Sequence, residues 1–140
     1  MKEQLKLSNQ LCFPLYATSK EIVSKYTPIL KEYDLTYTQY LVLLVLFEEE
    51  EINVNELGKK LHLDSGTLSP LLKKMENKGI LKRKRNINDE RNLIITLTND
   101  GKNLEEKLEG VPSQIASCVN LTKEEAMTLY SLLYKVLNGD

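Results

Sequence analysis

Residues Tyr40 to Phe47 form an unbroken run of eight apolar side chains, preceded by Thr36-Tyr37-Thr38-Gln39 in the Thr-x-x-Gln form of a capping box. Together they predict a helix that starts at the box and runs into the acidic stretch Glu48–Glu51. Such a helix is apolar on every side and must be buried almost all round. A chain of 140 residues hides it poorly as a monomer. The run is also far shorter than the about 20 residues that span a bilayer, so no membrane role is expected.

Other elements are arranged around this helix. Residues 5–31 place Leu11, Leu15, Ile22, Tyr26, Ile29 and Leu30 at mostly helical spacing, predicting one long helix interrupted near Pro14. After the acidic stretch, Asn53 with Glu56 marks the start of a short helix carrying Leu57 and Leu61 inward. Asp64 or Ser65 caps the next, which puts Leu68, Leu71, Leu72 and Met75 on one face and ends at Gly79. Two short helices joined by about four residues, the second polar and basic on its open face, form a helix-turn-helix. Leu81–Arg85 and Leu93–Leu97, around the loop Asn86–Asn92, then read as a β-hairpin, the wing.

Thr98 caps a further helix bearing Leu104, Leu108 and Val111, bent or ended by Pro112. Thr122 to Glu125 is another capping box. The last helix aligns Ala126, Leu129, Leu132, Leu133, Val136 and Leu137 in one apolar stripe, which asks for a partner surface, most simply a second copy of the chain. The expected fold is mainly α with a small β-hairpin (α+β). It is a winged helix-turn-helix over residues 51–97 between dimerisation helices at 1–50 and 98–140, in one domain of residues 1–140.

Charge is divided unevenly along this plan. The chain carries a net charge of −1, yet residues 59–91 hold ten Lys/Arg against four acidic residues, a local balance of +6 inside a scaffold of −7. A basic stripe of this kind is the electrostatic footprint of nucleic-acid binding. The major groove of double-stranded DNA, about 12 Å wide, admits one helix whose short polar side chains reach base edges. Ser65, Gly66, Thr67 and Ser69 suit that role, with Gly66 letting the backbone approach phosphate. Pro70 breaks a local rule in the same helix, as functional surfaces do more often than cores. Lys73, Lys74, Lys82 and Lys84 are placed to neutralise phosphates. In the wing, Asp89 stands two residues before Arg91 and would orient its guanidinium for entry into a minor groove, where narrow walls concentrate negative potential.

The segments Asn9-Gln-Leu-Cys-Phe-Pro-Leu-Tyr16, Leu35-Thr-Tyr-Thr-Gln-Tyr-Leu41, Leu63-Asp-Ser-Gly-Thr-Leu-Ser-Pro-Leu-Leu-Lys-Lys74 and Asp89-Glu-Arg91 carry a specific resemblance. The chain resembles MarR-family transcriptional regulators, and within them the OhrR-, SarZ- and MgrA-like branch that senses peroxides. The resemblance covers nearly the whole sequence. It implies a MarR-type homodimer interlocked through its first and last helices, with two recognition helices on a pseudo-palindromic operator about one helical turn apart, 34–36 Å. It further implies that Cys12 is the reactive thiol. By the same resemblance, Tyr26 and Tyr37 would be its hydrogen-bonding partners from the opposite subunit, and Tyr16 a further pocket position. Phenol hydroxyls donating to sulfur favour the thiolate, which an oxidant such as an organic hydroperoxide converts to sulfenic acid. Cys118 lies near the segment where two-cysteine members hold a resolving thiol, so a disulfide to Cys12 of the partner stands beside a one-cysteine scheme using a small-molecule thiol.

Several function classes are argued against. Two cysteines 106 positions apart are too few for a disulfide framework and too distant for a CxxC pair, which implies a reducing compartment. No secretory signal is readable, and a cytoplasmic protein is expected. A single histidine, His62, removes most metal and triad chemistry and reads as a turn residue; no metal or other cofactor is expected. The acidic stretch Glu48–Glu51 reads as a solvated helix end. The expectation is therefore a DNA-binding repressor that releases DNA on oxidation of Cys12, and not an enzyme. Two alternatives are a regulator that answers to a non-covalent phenolic ligand and a thiol peroxidase built on Cys12.

Overall fold

In a computed structural model, the element order is α1 (Cys12–Lys31), α2 (Tyr37–Glu49), β1 (Glu51–Asn53), α3 (Val54–Leu61), α4 (Ser65–Asn77), β2 (Leu81–Asn86), β3 (Asp89–Leu97), α5 (Asn99–Leu108), α6 (Val111–Ala116) and α7 (Lys123–Asn138). The structure describes residues 1–87 and 89–139; the side chains at 86 and 89–92 lie outside the described residues.

The N-terminal expectation is corrected. Residues Glu3–Leu5 and Leu7–Asn9 form two 3₁₀ turns, and the helix begins only at Cys12. Pro14 sits in its first turn, where amides have no intrahelical partner, so it neither interrupts nor bends α1. Pro28 is the proline inside the helix. The chain then leaves α1 through Asp34, whose φ of 56° is left-handed, with Leu35 N–H donating to the Leu30 carbonyl at 3.1 Å and Asp34 N–H to that of Lys31 at 3.0 Å. This is a Schellman closure with aspartate where glycine is usual.

The predicted capping box is present: Thr36 Oγ1 accepts from Gln39 N–H at 3.3 Å and Gln39 Oε1 from Thr36 N–H at 3.1 Å. It launches α2, whose Val42, Leu43 and Leu46 are fully buried with Leu30, Leu57, Leu68, Leu72, Met75 and Ile95. Burial of α2 is not complete within one protomer, since Leu44 remains 41% exposed. The end of α2 is tied down by Glu49, which accepts from Lys60 Nζ of α3 at 2.8 Å.

Asn53 and Asp64 cap α3 and α4 through their side-chain oxygens, to Asn55 N–H and Thr67 N–H, at 2.7 and 2.8 Å. Between them His62 takes a left-handed φ of 55°, and Leu63 N–H donates to the Gly58 carbonyl at 2.9 Å. A Cβ on Gly58 would lie 2.8 Å from the Leu63 carbonyl oxygen, so this tight turn requires glycine. Gly79, with φ of 77°, closes α4 in a Schellman motif: Ile80 N–H donates to Met75 and Gly79 N–H to Glu76.

The wing is larger than expected. The sheet has three antiparallel strands in the order β1-β3-β2, with Ile52 and Arg83 flanking Ile95 in register. β1, three residues long, was too short to leave a periodic signal. Asp89 and Arg91, expected in a loop, fall within β3, with a register irregularity between Arg85 and Asn86. Pro112 stands in the first turn of a separate short helix, α6. Every described residue of α7 is exposed, including its whole apolar stripe. No helix among the described residues is long and apolar enough to cross a membrane.

Where β3 turns into α5, Thr98 caps the helix by accepting from Gly101 N–H at 3.1 Å, and its hydroxyl donates to the Ile80 carbonyl at 2.9 Å. A Cβ on Gly101 would lie 2.1 Å from that same carbonyl oxygen, a backbone atom with no freedom to yield. Gly101→Ala is therefore expected to lower unfolding free energy by about 3 kcal/mol, at the upper end for overpacking. Urea unfolding of the variant beside the parent checks this.

Candidate nucleic-acid interface and thiol site

Helix α4 presents two unlike faces. Leu68, Leu71, Leu72 and Met75 point into the core, while Ser65, Gly66, Thr67, Ser69, Pro70, Lys73 and Lys74 are exposed. The N-cap orders its first turn, and the Thr67 amide holds the Asp64 carboxyl below the usual carboxylate range. Nothing in the protomer demands Gly66, whose Cβ would meet only the Asp64 side-chain oxygen at 3.4 Å. Pro70 lies within the helix and leaves the Gly66 carbonyl without its amide, on the exposed face.

Strand alternation divides β2 into two unlike sides. Leu81 is buried on one side of β2, and Lys82 and Lys84 are exposed on the other. The same strand is fastened to α4 by a contact that sequence reasoning missed. Glu76 accepts from Arg83 Nε at 3.2 Å, from Arg83 Nη2 at 3.0 Å and from the Arg83 amide at 3.1 Å. Opposite charges seven residues apart, across a predicted turn, were the available signal. The side chains of Asp89 and Arg91 lie outside the described residues.

The thiols and phenols are arranged separately. Cys12 is exposed at the first position of α1, among exposed Leu11, Phe13, Leu15 and Tyr16. Tyr16 stacks under Lys20, whose Nζ stands 5.1 Å from the ring centroid. Tyr26 and Tyr37 come together, with ring centroids 4.6 Å apart, and a residue not singled out from sequence, Tyr40, completes the cluster at 5.6 Å from Tyr26. Burial, aided by the neighbouring phenols at Tyr26 and Tyr40, pushes the hydroxyls of all three above the usual tyrosine range. They remain protonated donors across neutral pH. Cys118 is exposed just beyond α6, its thiol donating to the Gln114 carbonyl at 3.4 Å.

A helix-turn-helix with a solvated polar recognition face, backed by a three-stranded wing, defines a winged-helix DNA-binding regulator of MarR type. The chain belongs to the transcriptional regulator SarA/Rot family, whose profile matches residues 24–108. It is 47% identical to the regulator SarZ of Staphylococcus haemolyticus over 96% of this chain and 91% of that one. It is 46% identical to the organic hydroperoxide resistance transcriptional regulator of Bacillus subtilis, over 96% and 92% of the two chains. Among solved structures, reduced AbfR bound to DNA matches with a TM-score of 0.81 and 40% identity, covering 99% of this chain and 98% of that one. AbfR, from Staphylococcus epidermidis, has also been solved overoxidised on DNA and in a disulfide form, with TM-scores of 0.79 and 0.68.

The Arg83 guanidinium, followed by the Arg83 amide, holds the Glu76 carboxyl below the usual range, so its contribution to stability is present above that range and is lost as pH falls through the lowered value. With Arg83 and Glu76 side chains 23% and 35% exposed, solvent screens the pair. Glu76→Gln should reduce stability by about 1 kcal/mol at neutral pH. Urea titrations taken into the acid range should show the difference disappearing.

Proposed function

We propose that this chain is a homodimeric transcriptional repressor of the cytoplasm that reads a pseudo-palindromic operator and releases it when Cys12 is oxidised. The observation that carries the reading is the exposed Cys12 thiol on an apolar segment that one protomer leaves uncovered. In a dimer built through residues 1–50 and 98–140, with 51–97 as the DNA-binding part, that segment would meet the partner. Its sulfur would face phenols that burial keeps as hydrogen-bond donors, those of Tyr26 and Tyr37, with Tyr16 lining the pocket.

In this mechanism Ser65, Gly66, Thr67, Ser69 and Pro70 lie along the major groove. Lys73, Lys74, Lys82 and Lys84 neutralise phosphates, and Asp89 orients Arg91 into the minor groove. The Cys12 thiolate attacks one oxygen of an organic hydroperoxide. An S–O bond forms, the O–O bond breaks, and the departing alkoxide takes a proton to leave as alcohol. A second thiolate, from Cys118 of the partner subunit or a small-molecule thiol, then attacks the sulfenic sulfur. The S–S bond forms as hydroxide leaves and is protonated to water.

Joining Cys12 to Cys118 requires Cα atoms within about 7 Å, so the helices carrying them must move. That AbfR has been solved on DNA in an overoxidised form, and separately in a disulfide form, favours covalent bridging over added charge as the step that separates the recognition helices. The reading is of a regulator and not a peroxidase because the similar proteins are named transcriptional regulators.

Gel shifts on the DNA upstream of the protein's own gene test this, paired with non-reducing gels. Wild type is expected to bind when reduced and to release on treatment with organic hydroperoxide, while Cys12→Ser binds and stays bound. Release of Cys12→Ser by hydroperoxide would sink thiol sensing. Release of wild type by aromatic acids alone would put the phenolic-ligand alternative in its place.

A further inference from the structure

Lys78, the residue that ends α4, reaches back across the molecule to the turn between α1 and α2. Its Nζ donates to the Asp34 carbonyl at 2.5 Å and to Gln39 Oε1 at 3.2 Å, and stands 3.6 Å from Asp34 Oδ2. The carboxylate is almost wholly in water and adds little to this. The other two acceptors are structural. Gln39 is a buried polar residue whose Oε1 also closes the α2 capping box, and the Asp34 carbonyl is aimed by a left-handed backbone that a non-glycine residue holds only with support.

Both acceptors belong to segments that hold the tyrosine cluster. Gln39 lies two residues after Tyr37 and one before Tyr40, and Asp34 stands in the turn that leaves α1, which carries Tyr26. Packing around the link is open. A cavity of about 430 Å³ lies on one side, lined by Val23, Thr27, Tyr37 and Lys78 among others, and another of about 260 Å³ lies on the other, lined by Tyr33, Asp34, Lys78 and Leu104 among others. Leu30 and Leu35, on either side of the turn, share the core with Leu68, Leu72 and Met75 of α4, and at the solvent-facing edge a charge-assisted link between an ammonium and two fixed oxygens adds a specific tie between the turn and the end of α4.

We propose that Lys78 is a positioning residue that carries the state of the tyrosine cluster to the recognition helix. A shift of Tyr26 against Tyr37 changes where the end of α1 stands relative to the start of α2. Lys78 spans both through its two acceptors, and α4 follows. The inference rests on the thiol-sensing reading above, in which the chemistry occurs beside those phenols.

The test is the ratio of operator dissociation constants, oxidised over reduced, for the full-length dimer treated with cumene hydroperoxide. Lys78→Met removes the ammonium and keeps the stem, and its ratio should fall by about fivefold or more, the lower end of allosteric coupling. Lys78→Arg should retain the wild-type ratio. The rate at which Cys12 loses labelling by a thiol reagent during oxidation should be the same in all three, a readout that separates coupling from damage to the thiol site. If Lys78→Met does not yield folded protein, Lys78→Gln, which keeps a neutral donor, is expected to lower the ratio likewise. An unchanged ratio in the variant, with wild type releasing normally, overturns the role of Lys78 alone. Wild type that holds its operator after oxidation overturns the thiol-sensing reading and this inference with it.

Discussion

The withdrawal of α2 from water is the constraint on which the rest of the structure depends. Val42, Leu43 and Leu46 are fully buried, each worth roughly 1.5–3 kcal/mol of transfer free energy. Helices α1, α3, α4 and α5 and strand β1 all touch α2. Because that helix serves as the common wall, both the recognition helix and the tyrosine cluster are referenced to it. Tyr37 and Tyr40 stand in its first turns, and the inner leucines of α4 join the same core that encloses its middle. In the proposed function, the helix that reads DNA and the tyrosine cluster both meet α2, a shared element through which two sites can bias one equilibrium.

The second organising feature is what a single protomer leaves uncovered. The apolar stripe of α7, the apolar side chains of Leu5, Leu7, Leu11, Phe13, Leu15 and Tyr16, and Leu44 of α2 all face solvent. Exposed apolar area on this scale marks an interaction surface. The segment bearing Cys12 belongs to it, so in the proposed function assembly and chemistry would share the same ground. By contrast, the proposed DNA face is finished within the protomer. The Asp64 cap, the left-handed turn at His62, the Schellman closure at Gly79 and the Glu76–Arg83 contact fix α4 and β2 against each other without help from a second chain.

Much of this was legible in the sequence because local signals agreed with the global plan. The Thr36/Gln39 and Thr122/Glu125 boxes and Gly79 each act over three or four residues and appear where they were read, and of the two caps offered for α4, Asp64 and Ser65, the structure uses Asp64. Errors arose where a local rule had two outcomes. A proline near the start of a periodic stretch can break a helix or sit in its first turn, and Pro14 does the latter. The hairpin was read too short because its turn-rich composition hides pairing, whereas β3 begins at Asp89. The Arg83 contact and the inclusion of Tyr40 among the phenols left only faint traces, since neither follows from periodicity.

The sequence by itself determined the helices, their caps, the basic stripe and the types of residue on the face of α4, because those depend on spacing along one chain. Cys12 and the pair Tyr26 and Tyr37 were pointed to by the family resemblance, and the structure places the two rings 4.6 Å apart. Tertiary structure alone decided that β1 joins the wing, that Gly101 must lie against the Ile80 carbonyl, and that Lys78 reaches Asp34 and Gln39. Those contacts join residues 21 to 45 positions apart. Their partners are chosen by how the whole core closes around α2, a three-dimensional packing outcome that no periodicity within a single segment encodes.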